Sequence, residues 1–292
     1  MSDRDPVTEP RFRPAVQEVH AAHEDVLSPQ TQSAAYRLAF QDDEFLLRPD
    51  LRPVRFQLEL LKPELLLDEA KIASTFVFYG SARIPSPEQA QARIDAATDE
   101  QSRKVAERLA GKAHYYDVAR DLARIAAQYP VHANGCRNFV VCSGGGPSIM
   151  EAANRGAADV GAKTIGMNIL LPHEQAPNPF VTPELSFRFH YFALRKMHFT
   201  MRARALAVFP GGFGTFDEFF ELLTLIQTGK MKRIPILLYG REFWTRVVDF
   251  EALADEGVIG HGDLDLISWV ETAEEGWALV ENFYADEEIG GC

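Results

Sequence analysis

Cysteine is scarce: three residues, at 136, 142 and 292, with no C-x-x-C pair in 292 positions. That scarcity argues against a disulfide framework and against a cysteine zinc site, since both are built from several suitably spaced thiols. It points to a reducing, cytoplasmic setting. Long hydrophobic runs are also lacking, and no stretch approaches the roughly 18 apolar residues of a membrane span. The opening MSDRDPVTEP has neither the basic n-region nor the apolar core of a secretory signal. Neither membrane nor export is expected. Basic charge is in deficit, with 30 Lys and Arg against 42 Asp and Glu for a net charge of -12. This disfavours a general nucleic-acid-binding or anionic-membrane surface, so any anion site must be a local pocket. Two nucleotide signatures are missing as well, the G-x-G-x-x-G order of dinucleotide folds and the Gly-Lys-Ser/Thr of a P-loop.

What is present is an apolar content of 46%, ample for a core. Residues 1–70 read as a helical N-terminal extension with a frayed start. Prolines at 6, 10, 14, 29, 49, 53 and 63 interrupt leucine-rich stretches such as LRPVRFQLELLKPELLLDEA. Residues 71–292 read as a Rossmann-like domain. In it, STFVFYG, NFVVCSGGG, KTIGMNI, ALAVFPGG, RIPILLYG and LDLISWV alternate with amphipathic segments of helix length. Runs such as FVVC and ILLY are apolar throughout, as strands buried on both sides are. The expectation is an α/β fold: a doubly wound parallel sheet of about six to seven strands with helices on both faces. Between the first two strands, residues 87–137 leave room for two helices.

Two strand-to-helix junctions are rich in glycine: Ser143-Gly144-Gly145-Gly146-Pro147-Ser148 and Pro210-Gly211-Gly212-Phe213-Gly214-Thr215. At the carboxyl ends of parallel strands, backbone N–H groups and helix N-termini converge on anions. A third loop, Tyr79-Gly80-Ser81-Ala82-Arg83, offers a hydroxyl and a guanidinium. Each alone could be an ordinary tight turn. Thr215 and Glu218 also have the spacing of a capping box, which would give both a purely structural task. Upstream, a segment from about Phe192 to Arg204 carries Arg195, Lys196, His198, Arg202 and Arg204. A basic helix face is commonly solvated surface. Arg195, however, follows the aromatic stretch FRFHYF, and a guanidinium in apolar surroundings wants a phosphate or carboxylate. Amides and an arginine for a phosphate, with Glu218 facing the sugar, would suit cleavage of an N-ribosidic bond through an oxocarbenium-like transition state. Composition and spacing alone stop at a phosphate-binding α/β protein.

Pro210 to Glu218, PGGFGTFDE, resembles the PGGxGTxxE signature of the LOG-type phosphoribohydrolases, and Arg195-Lys196 resembles their upstream Arg-Lys pair. SGGGPSIMEAANRGA is similar to the family's glycine-rich nucleotide loop and FYGSAR to its first-strand turn, so the resemblance spans about 74–240. It implies hydrolysis of a nucleoside 5'-monophosphate, AMP or a cytokinin riboside 5'-monophosphate, to free base and ribose 5-phosphate. It further implies Arg195 and Glu218 as the catalytic pair, and Ser81, Gly144, Gly145, Gly146, Met150, Glu174, Lys196, Gly211, Gly212, Gly214, Thr215 and Thr224 as substrate-binding residues. No metal or organic cofactor is implied, and a homodimer with the pocket near the interface is. Short plant-type members usually have Glu-Glu where this chain has Asp217-Glu218, and they lack the extension and the long first crossover. Longer bacterial AMP-nucleosidase-like members carry extra helices similar to HYYDVARDLAR, which favours a general purine nucleotide over a prenylated one.

Three other readings compete. Lysine decarboxylase, a label many relatives inherited, needs pyridoxal phosphate on a Schiff-base lysine, and no lysine here has a suitable context. A molybdenum-cofactor carrier shares the fold and loops without the hydrolytic pair. A nucleotide-sensing protein would use the extension to contact a partner.

Overall fold

A computed structural model of the chain describes residues 14–21, 26–172, 176–287 and 289–290. The elements in chain order are α1 (Ala15–Ala21), α2 (Asp43–Leu46), α3 (Arg52–Glu69), β1 (Thr75–Tyr79), α4 (Pro87–Asp95), α5 (Glu100–Ala110), α6 (His114–Ala126), β2 (Val140–Ser143), α7 (Ile149–Asp159), β3 (Thr164–Ile169), β4 (Ser186–Phe189), α8 (Phe192–Met201), β5 (Ala203–Val208), α9 (Phe213–Gln227), β6 (Ile236–Tyr239), α10 (Arg241–Val247), α11 (Phe250–Asp255), β7 (Ser268–Val270) and α12 (Ala273–Phe283). The chain divides into two compact units, residues 1–55 and 56–292. In the first, Asp42 caps α2 by accepting from the Phe45 N–H at 3.0 Å. Arg55 donates to the carbonyls of Leu46 and Arg48 at 2.6 and 2.7 Å.

The second unit holds one seven-stranded sheet in the order β4-β3-β2-β1-β5-β6-β7, with every strand pair parallel. This is the doubly wound α/β sheet expected from the alternating runs. Chain order moves outward from β1 to β4 on one side and from β5 to β7 on the other, so the topology switches between β1 and β5.

Both faces are covered. Phe76 and Phe78 of β1 pack with Val141, Ala205, Ala207 and Leu237 against α6, α7 and α12. The alternate residues Val77 and Tyr79 pack with Cys142, Met167, Leu206 and Val208 against α3, α8 and α9. Continuous apolar runs are what two buried faces demand, because in-and-out alternation leaves no position for a polar residue.

Seven strands fall within the expected six to seven, but three features were not read from the sequence. The seventh strand is the edge strand β4, whose SFRF alternates between half-buried or exposed and buried residues; an edge strand keeps one face polar, so it lacks the continuous apolar signal. The first crossover contains three helices, α4, α5 and α6, because Asp99 forms a reciprocal capping box with Ser102 and starts α5 afresh. Finally, Cys142 is a free buried thiol but Cys136 is disulfide-bonded. One bridged thiol is not a disulfide framework, but it runs against the reducing setting read from the scarcity of cysteine. Among the described residues no helix is long and apolar enough to cross a membrane.

The helices α6 and α7 cross closely, and a Cβ at Gly156 would run into the backbone carbonyl of Arg120. Gly156→Ala should therefore cost about 1–3 kcal/mol by overpacking. The check is the urea midpoint, which should fall with an unchanged slope; an unmoved midpoint would mean the crossing has slack.

Candidate active site

The switch between β1 and β5 leaves a crevice at the carboxyl ends of the strands, where open α/β sheets bind ligands. Backbone hydrogen bonds join its two walls: the Phe209 N–H donates to Tyr79 at 2.8 Å and the Ser81 N–H to Pro210 at 3.1 Å. Between them lies a cavity of about 830 Å³, lined by Gly80–Arg83, Met150, Arg195, Gly211–Phe216, Glu218, Phe243 and Val247. That volume is within the range of small-molecule sites, roughly 300–1,000 Å³.

Helix α9 begins at the cavity wall. Its N-cap is Gly212, which supplies no side-chain cap, and the first N–H to bond back is that of Phe216, to Gly212 at 3.0 Å. The N–H groups of Phe213, Gly214 and Thr215 therefore have no acceptor within the helix, and the positive end of its dipole is open. This settles the alternative for Thr215 and Glu218. Thr215 lies inside the helix rather than at its cap, and Glu218 turns to another partner.

That partner is Arg195. Its Nη1 donates to Glu218 Oε1 at 2.7 Å, its Nε donates to the Met167 carbonyl at 2.7 Å, and its guanidinium lies 4.9 Å from the Phe199 ring centre. Arg195 and Glu218 expose only 10% and 12% of their side chains. Burial pushes the Glu218 carboxyl up from 4.5 to about 7, against the pull of Arg195 in the opposite direction. Removal from water outweighs one ion pair at this position, as is common for paired charges in low dielectric.

The glycine-rich loop after β2 stands behind this pair. A Cβ on Gly144 would come within 2.6 Å of Arg195 Nη2, so the loop gives the guanidinium room. Gly145 adopts φ of 71°, a left-handed conformation that glycine takes without strain. Buried amides fix the loop. Ser143 Oγ donates to Asn154 Oδ1 at 2.7 Å and accepts from the Gly145 N–H at 3.1 Å. Asn178 Nδ2 donates to Asn154 Oδ1 at 2.9 Å and to the Gly146 carbonyl at 3.0 Å.

Comparison with known proteins adds similar sequences and folds. A family model described as "Possible lysine decarboxylase" matches residues 150–280. The cytokinin riboside 5'-monophosphate phosphoribohydrolase LOG of Oryza sativa subsp. japonica is 27% identical over 182 residues, 61% of this chain and 71% of that protein. The pyrimidine/purine nucleotide 5'-monophosphate nucleosidase of Escherichia coli K12 is 30% identical over 141 residues, 43% of this chain but only 29% of that protein. Over these stretches the chain is similar to LOG-type proteins. Among solved structures, a structural-genomics target covers 72% of this chain and 99% of its own at 19% identity and a TM-score of 0.46. The molybdenum-cofactor carrier protein of Chlamydomonas reinhardtii covers 73% and 99% at 17% identity and a TM-score of 0.41.

Of the residues marked by resemblance to the LOG-type family, Arg195, Glu218, Ser81, Met150, Gly211, Gly212, Gly214 and Thr215 line the cavity. Gly144, Gly145 and Gly146 do not line it. Lys196 turns away, donating to Asp217 at 3.0 Å and pairing with Glu221 at 3.1 Å. Thr224 donates to the Phe220 carbonyl at 2.8 Å, off the cavity. Glu174 lies outside the described residues. Sequence reasoning missed Phe213, Phe216, Phe243 and Val247 as an apolar wall, and the supporting Asn154 and Asn178. The readable signal was Asn154, a polar residue on the small, apolar face of IMEAANRGAADVG.

A carboxyl raised to about 7 favours its protonated form in the folded state, so its contribution to stability is full below about pH 4.5 and is lost as pH rises through about 7. Glu218→Gln cannot titrate. The stability of Glu218→Gln relative to the parent should therefore rise by on the order of 3 kcal/mol between pH 4.5 and 8, at about 1.4 kcal/mol per pKa unit. Urea unfolding across this range tests it; parallel stability curves would place the Glu218 carboxyl in the ordinary range.

Proposed function

We propose that this chain is a glycosidase-type hydrolase that cleaves the N-glycosidic bond of a nucleoside 5'-monophosphate, releasing free base and ribose 5-phosphate. The observation that carries the proposal is the buried Arg195–Glu218 pair at 2.7 Å, set beside the open N-terminus of α9 in one cavity. The names of the rice and E. coli relatives support the same class of reaction.

In this reading the 5'-phosphate takes the N–H groups of Phe213, Gly214 and Thr215, where helix dipole and unpaired donors favour an anion. Glu218 serves the sugar. As the bond to the base breaks, positive charge grows on the anomeric carbon and ring oxygen, and a carboxylate in a dry site stabilises that charge. The same carboxylate can accept a proton from the attacking water, and its pKa near 7 suits a general base at neutral pH. Arg195 orients Glu218 and keeps part of it ionised. Phe213, Phe216, Phe243 and Val247 give the base an apolar wall. A purine nucleotide is preferred in this reading, since the long crossover resembles the AMP-nucleosidase-like members. A homodimer is part of the proposal, with Lys196 and Thr224 on surfaces directed away from the cavity of their own chain.

The test is incubation of the purified protein with AMP, GMP, CMP, UMP and isopentenyl-AMP, with released base and ribose 5-phosphate quantified. Base should appear from a monophosphate and not from its nucleoside, and Glu218→Ala should lose about 10²–10⁴ in kcat, the usual worth of a positioned acid or base. Nucleotide binding without release from any of the five would overturn the enzyme reading in favour of a binding or carrier role.

A further inference from the structure

Helix α3 is tied to both ends of α8, the helix that carries Arg195. At the start of α8, the Glu59 carboxylate accepts from the backbone N–H groups of His190 at 2.9 Å and Tyr191 at 3.2 Å. Tyr191 is the N-cap of α8, so the acceptor for the N-cap N–H, which a capping box takes from a Glu or Gln at the third helical position, comes here from another helix. A carboxylate there also complements the helix dipole. At the far end, Arg202 donates to Glu64 Oε2 at 2.8 Å and to Asp68 Oδ1 at 2.7 Å. Between them, buried His198 places Nε2 3.1 Å from the Glu59 carbonyl and Nδ1 3.4 Å from Glu64 Oε1.

The tie at the start of α8 leads directly to the active pair. Glu59 holds the Tyr191 N–H, the Tyr191 carbonyl accepts from the Arg195 N–H at 3.1 Å, and the Arg195 side chain grips Glu218 at 2.7 Å. None of Glu59, Glu64 and Asp68 lines the cavity. Their arrangement fixes where α8 sits along its axis, and a displacement of about 1 Å at a reacting group can cost about 100-fold in rate.

We propose that α3 is a strut for α8, and that Glu59 is a positioning residue that sets the register of the Arg195 guanidinium against Glu218. The kinetic consequence rests on the hydrolase reading; the electrostatic one does not. If Arg195 shifts, the Glu218 carboxyl loses the positive charge that holds its pKa down.

The experiment compares the full chain with Glu59→Ala, Glu59→Gln and Lys62→Ala, the last on the same helix. The Glu218 side-chain carbon is followed by NMR across pH, its signal assigned by Glu218→Gln. Thermal melts establish that each variant is folded. In Glu59→Ala the Glu218 midpoint should move up by roughly one pKa unit, the low end of what an opposite charge within about 4–6 Å contributes. Glu59→Gln, whose single amide oxygen keeps only one of the two N–H contacts, should move it by a smaller but measurable amount, and Lys62→Ala not at all. With a cleaved nucleotide, kcat of Glu59→Ala should fall about tenfold with KM little changed, as expected for misplacement of a reacting group. A purely structural role would lower the melting temperature and leave the midpoint in place. An unmoved midpoint in folded Glu59→Ala overturns the strut; if that variant does not fold, an unmoved midpoint in Glu59→Gln does so. Absence of cleavage by the parent chain overturns the hydrolase reading and leaves the titration to decide the strut.

Discussion

A buried charge pair is the constraint around which this fold is arranged. Taking a guanidinium and a carboxylate out of water costs several kcal/mol per ion, and their attraction offsets that cost only if the remaining hydrogen-bonding capacity is met. The structure meets it from separate elements: the carbonyl of Met167 at the end of β3 takes Arg195 Nε, and the Phe199 ring lies against the guanidinium. Gly144 leaves the space that a side chain would fill. Each provider depends on another. Gly144 keeps its place because Ser143, Asn154 and Asn178 hold the loop, and α8 keeps its place through α3.

The electrostatics of the site run against those of the whole chain. A net charge of -12 repels an anionic ligand at long range. Attraction must come from groups that a bound anion would touch directly, namely the open N–H groups of α9 and the Arg83 guanidinium at the cavity wall.

Much of the fold was legible because its signals are local. Runs such as FVVC and ILLY declare strands buried on both faces, and the two glycine-rich junctions mark where such strands meet helices. β4 was not legible, because an edge strand of four residues, SFRF, shows only a short alternation. In the site, Arg195 and Glu218 stood out through spacing and resemblance. The role of Gly144 did not, because such a glycine can serve a bound phosphate or a neighbouring guanidinium, and only packing separates the two. Phe243 and Val247 were hidden for another reason. They come from α10, after β6, and reach the cavity through topology rather than through any motif. The basic segment from Phe192 to Arg204 was legible in composition but not in use. Arg195 and His198 are buried, and Arg202 is held by carboxylates from a helix more than a hundred residues earlier, so the segment does not present one solvated basic face.

The spacing within PGGFGTFDE acquires a physical meaning from α9. Gly214 sits in the first turn and Glu218 four residues on, a rise of roughly 6 Å at 1.5 Å per residue. Both face the cavity. The free N–H groups are therefore offset from the carboxylate along one rigid axis, by a distance that loop movements cannot change. In a nucleoside 5'-monophosphate the phosphate and the anomeric carbon are likewise held apart, by a ribose ring and one CH₂–O arm. A helix that grips one end and presents a carboxylate to the other discriminates by length. A free nucleoside lacks the anchoring group, and a ligand with its phosphate elsewhere on the sugar puts the wrong carbon at Glu218. In the proposed reaction, selectivity for the 5'-monophosphate thus follows from helical rise. Selectivity for the base is left to Phe243, Val247 and the other apolar residues of the cavity.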